Sequence, residues 1–318
     1  MAAINVRPLE DDLSFGARIT GVTWQTVKDE AIRKQINDVF EARGMIVFEG
    51  MEPSGEMQVE LSTVFGPLKE HPVKTVPRVD AKLMPGVIEI KPDPARASVV
   101  EIDGKRLMSW QPWHFDHCYN NELNRAGVLR SVITPPEGGV TAFADGIELY
   151  KSIAPALRDK IEGRNIVYTL DLLYAHMRFG IPHGFREVQP PADTGILEVA
   201  RSLPRAIHPA VWTRKTGEKV FHISPWMAVG IEGEETPEGD ALFETVCQEI
   251  LAKLHPYYHH WKPTDMVIWD NWRMLHKAMG VDTKYPRSVH RTTIKGDYGL
   301  GYWENHVAGP QSAVREMM

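Results

Sequence analysis

Apolar residues recur along this chain with two different periods. Between Thr23 and Arg43 they fall at Val27, Ile32, Ile36, Val39 and Phe40, the spacing of a helix with one buried face. Gly44 interrupts that pattern, and Met45-Ile46-Val47-Phe48 is a continuous apolar run that predicts a short buried strand. Helical spacing returns from Ser54 to Phe65. It returns again from Asp145 to Leu157, with an extension towards Ile161 past Pro155. From Thr236 to Leu254 the stripe is Leu242, Val246, Ile250 and Leu254, and Pro256 follows it. Strand-like runs lie at Val87–Ile90, at Val99–Ile102, and on both sides of the Pro135-Pro136-Glu137-Gly138-Gly139 turn. Residues 210–214 and 219–223 flank Lys215-Thr216-Gly217-Glu218 as a hairpin. Asp265–Asp270 predicts a buried strand that delivers His276, and Ser288–Ile294 predicts the last strand. Residues 66–112 are dense in proline, and 171–205 are irregular and aromatic. Both are expected as lid-like insertions, because long irregular stretches in a compact fold usually carry function.

Composition narrows the class without naming it. The 318 residues are 43% hydrophobic and 25% charged, which suits an ordinary globular protein built as one domain, 1–318, with insertions. Thirty-six basic against 42 acidic residues leave a net charge of −6, which argues against nucleic acid as a partner. Cys118 and Cys247 are the only cysteines. They offer no disulfide framework and point to a reducing, cytoplasmic setting. No secretory leader is read at the N-terminus, and no apolar run approaches a membrane span, so no membrane partner is expected.

The candidate chemistry lies in His114-Phe115-Asp116, His276 and Arg287. In a strand, side chains at i and i+2 leave the same face, so His114 and Asp116 would stand together. Two imidazoles and one carboxylate that leave other positions open form the facial triad of non-haem Fe(II) oxygenases. A zinc site or a structural polar cluster are the rival readings. Arg287 can present a bidentate fork to a carboxylate, although most arginines end in surface salt bridges. Arg291 is four residues on and would share the strand face of Arg287. His117 should point away from the metal face, and Cys118 is assigned to packing. His255, His259 and His260 are placed at a helix end as structural residues. His176 and His183 fall in the second lid.

Taken in order, Phe65-Gly66-Pro67-Leu68, Trp113-His114-Phe115-Asp116, Gly138-Gly139-Val140-Thr141, His208-Pro209-Ala210-Val211 with Thr216-Gly217, Trp269-Asp270-Asn271, His276-Lys277-Ala278, Arg287 and Arg291 make a recognisable set. The chain resembles the taurine dioxygenase/TfdA-like family of Fe(II)- and 2-oxoglutarate-dependent dioxygenases. The resemblance implies a mixed α/β fold with a mainly β core, a double-stranded β-helix (jelly roll) with flanking helices and long lid loops. It implies Fe(II), 2-oxoglutarate and O2 as cofactor and cosubstrates, with succinate and CO2 released. His114, Asp116 and His276 would hold iron, and Thr141 and Arg287 the distal carboxylate of 2-oxoglutarate. Arg291 would meet substrate or a second carboxylate contact. His71 matches a sulfonate-binding His of the taurine enzyme. Trp110 stands where that enzyme has a small amide, Lys74 where it has a Tyr, and Trp226 near a pocket aromatic. These departures imply a bulkier, more apolar substrate: a small organic acid, aromatic or aryloxy, that becomes hydroxylated. A sulfonate- or sulfate-ester-cleaving oxygenase is the alternative of the same family. A non-catalytic jelly-roll metal- or ligand-binding protein is the alternative of another class. A homo-oligomer is expected.

Overall fold

Two antiparallel sheets face each other in the computed structural model, which describes residues 4–69, 77–80, 82–192, 198, 200 and 202–305. The larger sheet runs Asn5–Pro8, Ala17–Thr20, Met45–Phe48, Met266–Asp270, Ala126–Ile133, Ser288–Ile294, Met84–Ile90, Arg78–Asp80. The smaller runs Arg186–Gln189, Val99–Ile102, Lys105–His114, Met274–Asp282, Thr141–Asp145, Tyr257–His259. A four-stranded sheet, Ala228–Ile231, Asn165–Tyr168, Ala206–Pro209, Tyr302–Trp303, packs outside the smaller one. The hairpin Val211–Thr213 and Lys219–Phe221 stands apart. Among the described strands only Ala17–Thr20 and Met45–Phe48 pair in parallel. The architecture is a mainly β, jelly-roll-type core with flanking helices.

The apolar runs are continuous because both faces of the larger sheet are covered. Val47, Leu129, Val267, Trp269 and Val289 point inward and meet Phe143, Tyr257 and Met274 of the smaller sheet. The alternate residues Ile46, Phe48, Val128, Met266 and Ile268 point outward, onto helices Glu30–Arg43 and Gly55–Thr63. The helix read over 23–43 begins only at Glu30; Thr26–Lys28 is a separate 3-10 turn ended by the extended Asp29, and Glu30–Arg43 buries Ile32, Ile36 and Phe40. Asp29 caps it by accepting from the Ala31 and Ile32 N–H groups, and Gly44, at φ 77°, ends it in the left-handed region open to glycine. Pro237–Lys253 starts at the Thr236 cap and packs Phe243, Val246 and Ile250 onto the outer cluster of the smaller sheet. Among the described residues no helix is long and apolar enough to cross a membrane.

Several expectations change. The helix read from Asp145 is two short ones, Gly146–Ser152 and Pro155–Ile161. Ile153 and Ala154 leave helical geometry because the residue before a proline avoids it. Much of 66–112 is strand rather than loop, and its last ten-residue strand, Lys105–His114, belongs to the smaller sheet. His276 is not at the end of Met266–Asp270. It sits on the next strand, Met274–Asp282, in the opposite sheet. His259 lies on strand Tyr257–His259, not at a helix end.

His208 and His222 are buried against Phe115, with ring centroids 5.8 and 3.9 Å from it. Each ring donates through Nε2 to a main-chain carbonyl, Asn120 at 2.7 Å and Asn271 at 2.9 Å. Burial pushes their pKa values down to about 4 and about 3. Above the unfolded value of roughly 6.5 both states are neutral and the fold keeps its full stability. Below it the unfolded chain protonates first, so stability falls as pH drops. The loss is roughly 1.4 kcal/mol per pH unit per histidine down to about pH 4. Urea midpoints should therefore fall steadily from pH 7 to pH 5; an unchanged midpoint across that interval contradicts the assignment.

Candidate functional site

His114 is the last residue of strand Lys105–His114, and His276 is its direct partner across the ladder on Met274–Asp282. Their rings lie 4.1 Å apart. Asp116 arrives differently from the shared strand face expected of it. The strand ends at His114, and the chain turns through His117, whose φ is 59°. The turn carries the Asp116 carboxylate back to the imidazoles. One ligand-capable atom from each of the three lies within 4.8 Å of the others, and all three residues are buried. His117 is outside this cluster, and its ring lies 5.8 Å from Tyr119. Cys118 packs its sulfur against the Trp226 carbonyl and the Met227 sulfur.

The electrostatics suit a divalent cation. His114 Nδ1–H donates to the Pro112 carbonyl at 2.7 Å, which leaves Nε2 as an acceptor. Burial lowers the pKa of His114 and lowers that of His276 well below its ordinary value, so both rings are neutral, the form that can bind a metal. His276 Nε2 and Asp116 Oδ1 stand 3.6 Å apart, too far for a hydrogen bond. Burial alone would favour the acid form of Asp116. The Arg291 guanidinium is the largest opposing influence, and together with the neighbouring histidines it holds the carboxyl below the usual range. Arg291 grips both oxygens, Nη1 to Oδ1 at 3.0 Å and Nη2 to Oδ2 at 2.6 Å. Its Nε is buried without a hydrogen-bond partner. The donor set and the unfilled ring nitrogens fit Fe(II) bound by two imidazoles and one carboxylate.

Thr141 and Arg287 stand on separate supports, Thr141 on the strand next to the one that carries His276. Thr141 opens strand Thr141–Asp145, between Ala278 and His259. Its Oγ1 accepts from the Trp261 indole N–H at 3.1 Å, so its own proton is left to donate elsewhere. Arg287 precedes strand Ser288–Ile294 and approaches the glycine turn: a Cβ built on Gly139 would stand 3.5 Å from Arg287 Nε. Arg287 is buried and has no hydrogen bond or ion pair among the described residues, and burial pushes its pKa down to about 10. A desolvated cation of this kind is costly unless an anionic ligand completes it. Arg287 and Arg291 do not act as one pair on a common face. A register shift between Ser288 and Val289 separates them, and only Arg291 has a carboxylate partner.

Of the substrate candidates, Trp226 reaches the cluster itself, with its ring edge-on to His114 at 5.1 Å. Trp110 is further out, in the cluster on the outer face of the smaller sheet. It is linked to Trp226 through Tyr174, whose ring lies 5.3 Å from Trp110 and 5.9 Å from Trp226, and whose hydroxyl donates to the Trp110 carbonyl. Tyr174 comes from the second lid stretch. His71 and Lys74 lie outside the described residues. His176 pairs with Asp171 at 2.8 Å and takes no part in the cluster. Tyr174, Trp261 and Asn271 were given no role by the sequence reading. For Asn271 the Trp269-Asp270-Asn271 motif was the available signal. Tyr174 and Trp261 had only an aromatic ring in a polar stretch.

Comparison with known proteins places this geometry. The family model for "Taurine catabolism dioxygenase TauD, TfdA family" matches residues 5–293. The α-ketoglutarate-dependent 2,4-dichlorophenoxyacetate dioxygenase of Cupriavidus pinatubonensis is 25% identical over 288 residues, covering 89% of this chain and 95% of the relative. The α-ketoglutarate-dependent sulfate ester dioxygenase of Pseudomonas putida is 24% identical over 289 residues, covering 90% and 88%. The crystal structure of a taurine dioxygenase from Burkholderia xenovorans superposes with a TM-score of 0.67 at 22% identity, covering 92% and 91%, and shows the same fold. The chain belongs to the TauD/TfdA family and is an oxidoreductase, a dioxygenase that uses Fe(II), 2-oxoglutarate and O2.

Proposed function

We propose that this dioxygenase hydroxylates a small organic acid with a hydrophobic, aromatic or aryloxy body. His114, Asp116 and His276 hold the iron. Arg287 and Thr141 hold the distal carboxylate of 2-oxoglutarate. The observation that carries this reading is a buried Arg287 with no counter-ion among the described residues, in a fold that also gathers a buried His–Asp–His cluster. Bound iron and 2-oxoglutarate supply the oxidation, in which 2-oxoglutarate and O2 yield succinate and CO2 as one oxygen atom enters a substrate C–H bond.

The chain's own residues bind and orient. Arg287 offers a planar fork, and the Thr141 hydroxyl, already accepting from Trp261, donates its proton to the same carboxylate. Arg291 keeps Asp116 ionised and aimed. Trp226, with Trp110 and Tyr174 behind it, forms an apolar wall that excludes water and takes the body of the substrate. His71 and Lys74 are assigned to the anionic end. The aryloxyacetate activity of the Cupriavidus relative supports an aromatic acid. The Pseudomonas relative favours the second reading, a sulfate ester cleaved after hydroxylation. The whole chain acts as a single domain, with the irregular stretch of 171–205 as a lid. Two buried free thiols suit a reducing, cytoplasmic setting, and the chain is assigned to a homo-oligomer.

His114→Ala, Asp116→Ala and His276→Ala should each abolish succinate formation and metal binding; activity retained in all three refutes the metal assignment. Arg287→Ala should raise the 2-oxoglutarate requirement by roughly 30-fold or more, as expected for losing one side of a buried charge-assisted pair. Arg287→Lys should recover only part of the loss, since a lysine cannot reproduce the fork. Unchanged 2-oxoglutarate affinity in the alanine variant removes Arg287 from that role.

For the substrate, an aryloxyacetate should stimulate succinate production more than taurine does. Trp226→Ala should raise KM for that acid and leave substrate-free 2-oxoglutarate decay in place. A larger stimulation by an alkyl sulfate selects the second reading, and a larger one by taurine rejects the apolar wall.

A further inference from the structure

Asp116 is the one member of the cluster that no strand supports. His114 and His276 are fixed by facing each other in the ladder of the smaller sheet. Asp116 lies two residues beyond the end of that strand, where ladder hydrogen bonds have stopped. A buried main-chain N–H and C=O must still be satisfied. One side chain satisfies both. Asn271 Oδ1 accepts from the Asp116 N–H at 2.7 Å, and Asn271 Nδ2 donates to the Asp116 carbonyl at 3.0 Å. The primary amide thus takes the place of a neighbouring strand.

Asn271 is itself held. It is fully buried, directly after strand Met266–Asp270 of the larger sheet. Its N–H donates to the Arg125 carbonyl at 3.0 Å, and its carbonyl accepts from His222 Nε2 at 2.9 Å. Its second amide proton goes to Asn124, whose carbonyl and Oδ1 are each 3.2 Å away. Only a side-chain amide offers an acceptor and two donors in one plane at this reach: an aspartate lacks the donors, and a serine is too short to meet both groups.

We infer that Asn271 is a positioning residue for the metal site, setting the place of the Asp116 carboxylate by clamping its main chain from the opposite sheet. Arg291, also on the larger sheet, fixes the carboxylate end. The third ligand is therefore held at both ends by the sheet that carries neither imidazole. The inference rests on the reading of Asp116 as a metal ligand, and the test separates the two.

The measurement is Co(II) binding to the full chain without 2-oxoglutarate, followed by visible absorption and by competition with a chelator, alongside thermal unfolding. Asn271→Ala should weaken Co(II) binding by roughly 10- to 100-fold, the usual effect of removing a group that orients a ligand, and should alter the Co(II) band shape. Asn124→Ala is the control. It removes a partner of the same amide, and should lower Tm while leaving Co(II) affinity within about threefold. If Asn271→Ala does not fold, Asn271→Ser takes its place, with the same loss of affinity expected. Wild-type Co(II) affinity in the Asn271 variant, or an equal loss in Asn124→Ala, overturns the inference. Undiminished Co(II) binding by Asp116→Ala instead overturns the assignment of Asp116 as a ligand.

Discussion

An ionised carboxylate sits in a buried place with no strand beneath it, and the rest of the site is arranged around keeping it there. Burial works against the charge of Asp116, and the Arg291 guanidinium together with the neighbouring histidines reverses that preference. The pair is bidentate, which fixes direction as well as charge. Arg291 also stands over the Trp269 ring, at 5.6 Å from its centroid, so the cation is held by packing as well as by its partner. The same Trp269 ring lies 4.9 Å from His276. One aromatic side chain thus touches one proposed ligand, His276, and the support of another, Asp116.

That arrangement makes the site depend on the core between the sheets. Both imidazoles come from the smaller sheet, while Arg291 and Asn271 come from the larger. Their separation is set by Val267, Trp269 and Val289 packing on Phe143 and Met274. Close-packed interiors transmit a change of even one methylene. A core substitution there is therefore a change at the metal site, although none of those residues is charged. Arg287 lies outside this chain of support. It leans on the glycine turn at Gly138-Gly139, where both residues adopt positive φ and a side chain at 139 would collide with the Pro135 ring. The two arginines, four positions apart in sequence, consequently serve different anions: one belongs to the protein, and the other is proposed to come with the cosubstrate.

Much of this was legible in the sequence because the signals were local or came as an ordered set. The apolar runs at Met45–Phe48 and Met266–Asp270 read as buried strands, as they are, and the periods of Glu30–Arg43 and Pro237–Lys253 located both long helices. The ordered motifs gave the family that the comparisons establish. What failed was local geometry under tertiary control. Pro155 split one helix, and the proline-dense stretch before His114 contains a ten-residue strand. The i, i+2 argument brought Asp116 to the right neighbours for the wrong reason, since the strand stops first.

Sequence alone determined which side chains are present and the order in which the chain delivers them: an imidazole and a carboxylate together, a second imidazole far along, and two arginines after it. Only the tertiary structure decided which of them meet. His114 faces His276 through a ladder register between residues far apart in the chain. Arg291 has a counter-ion and Arg287 has none among the described residues because opposite sheets bring Asp116 to the one and only a glycine turn to the other. A hydrogen bond or a desolvated charge is a property of the neighbours in space, and a residue's place in the chain does not contain them.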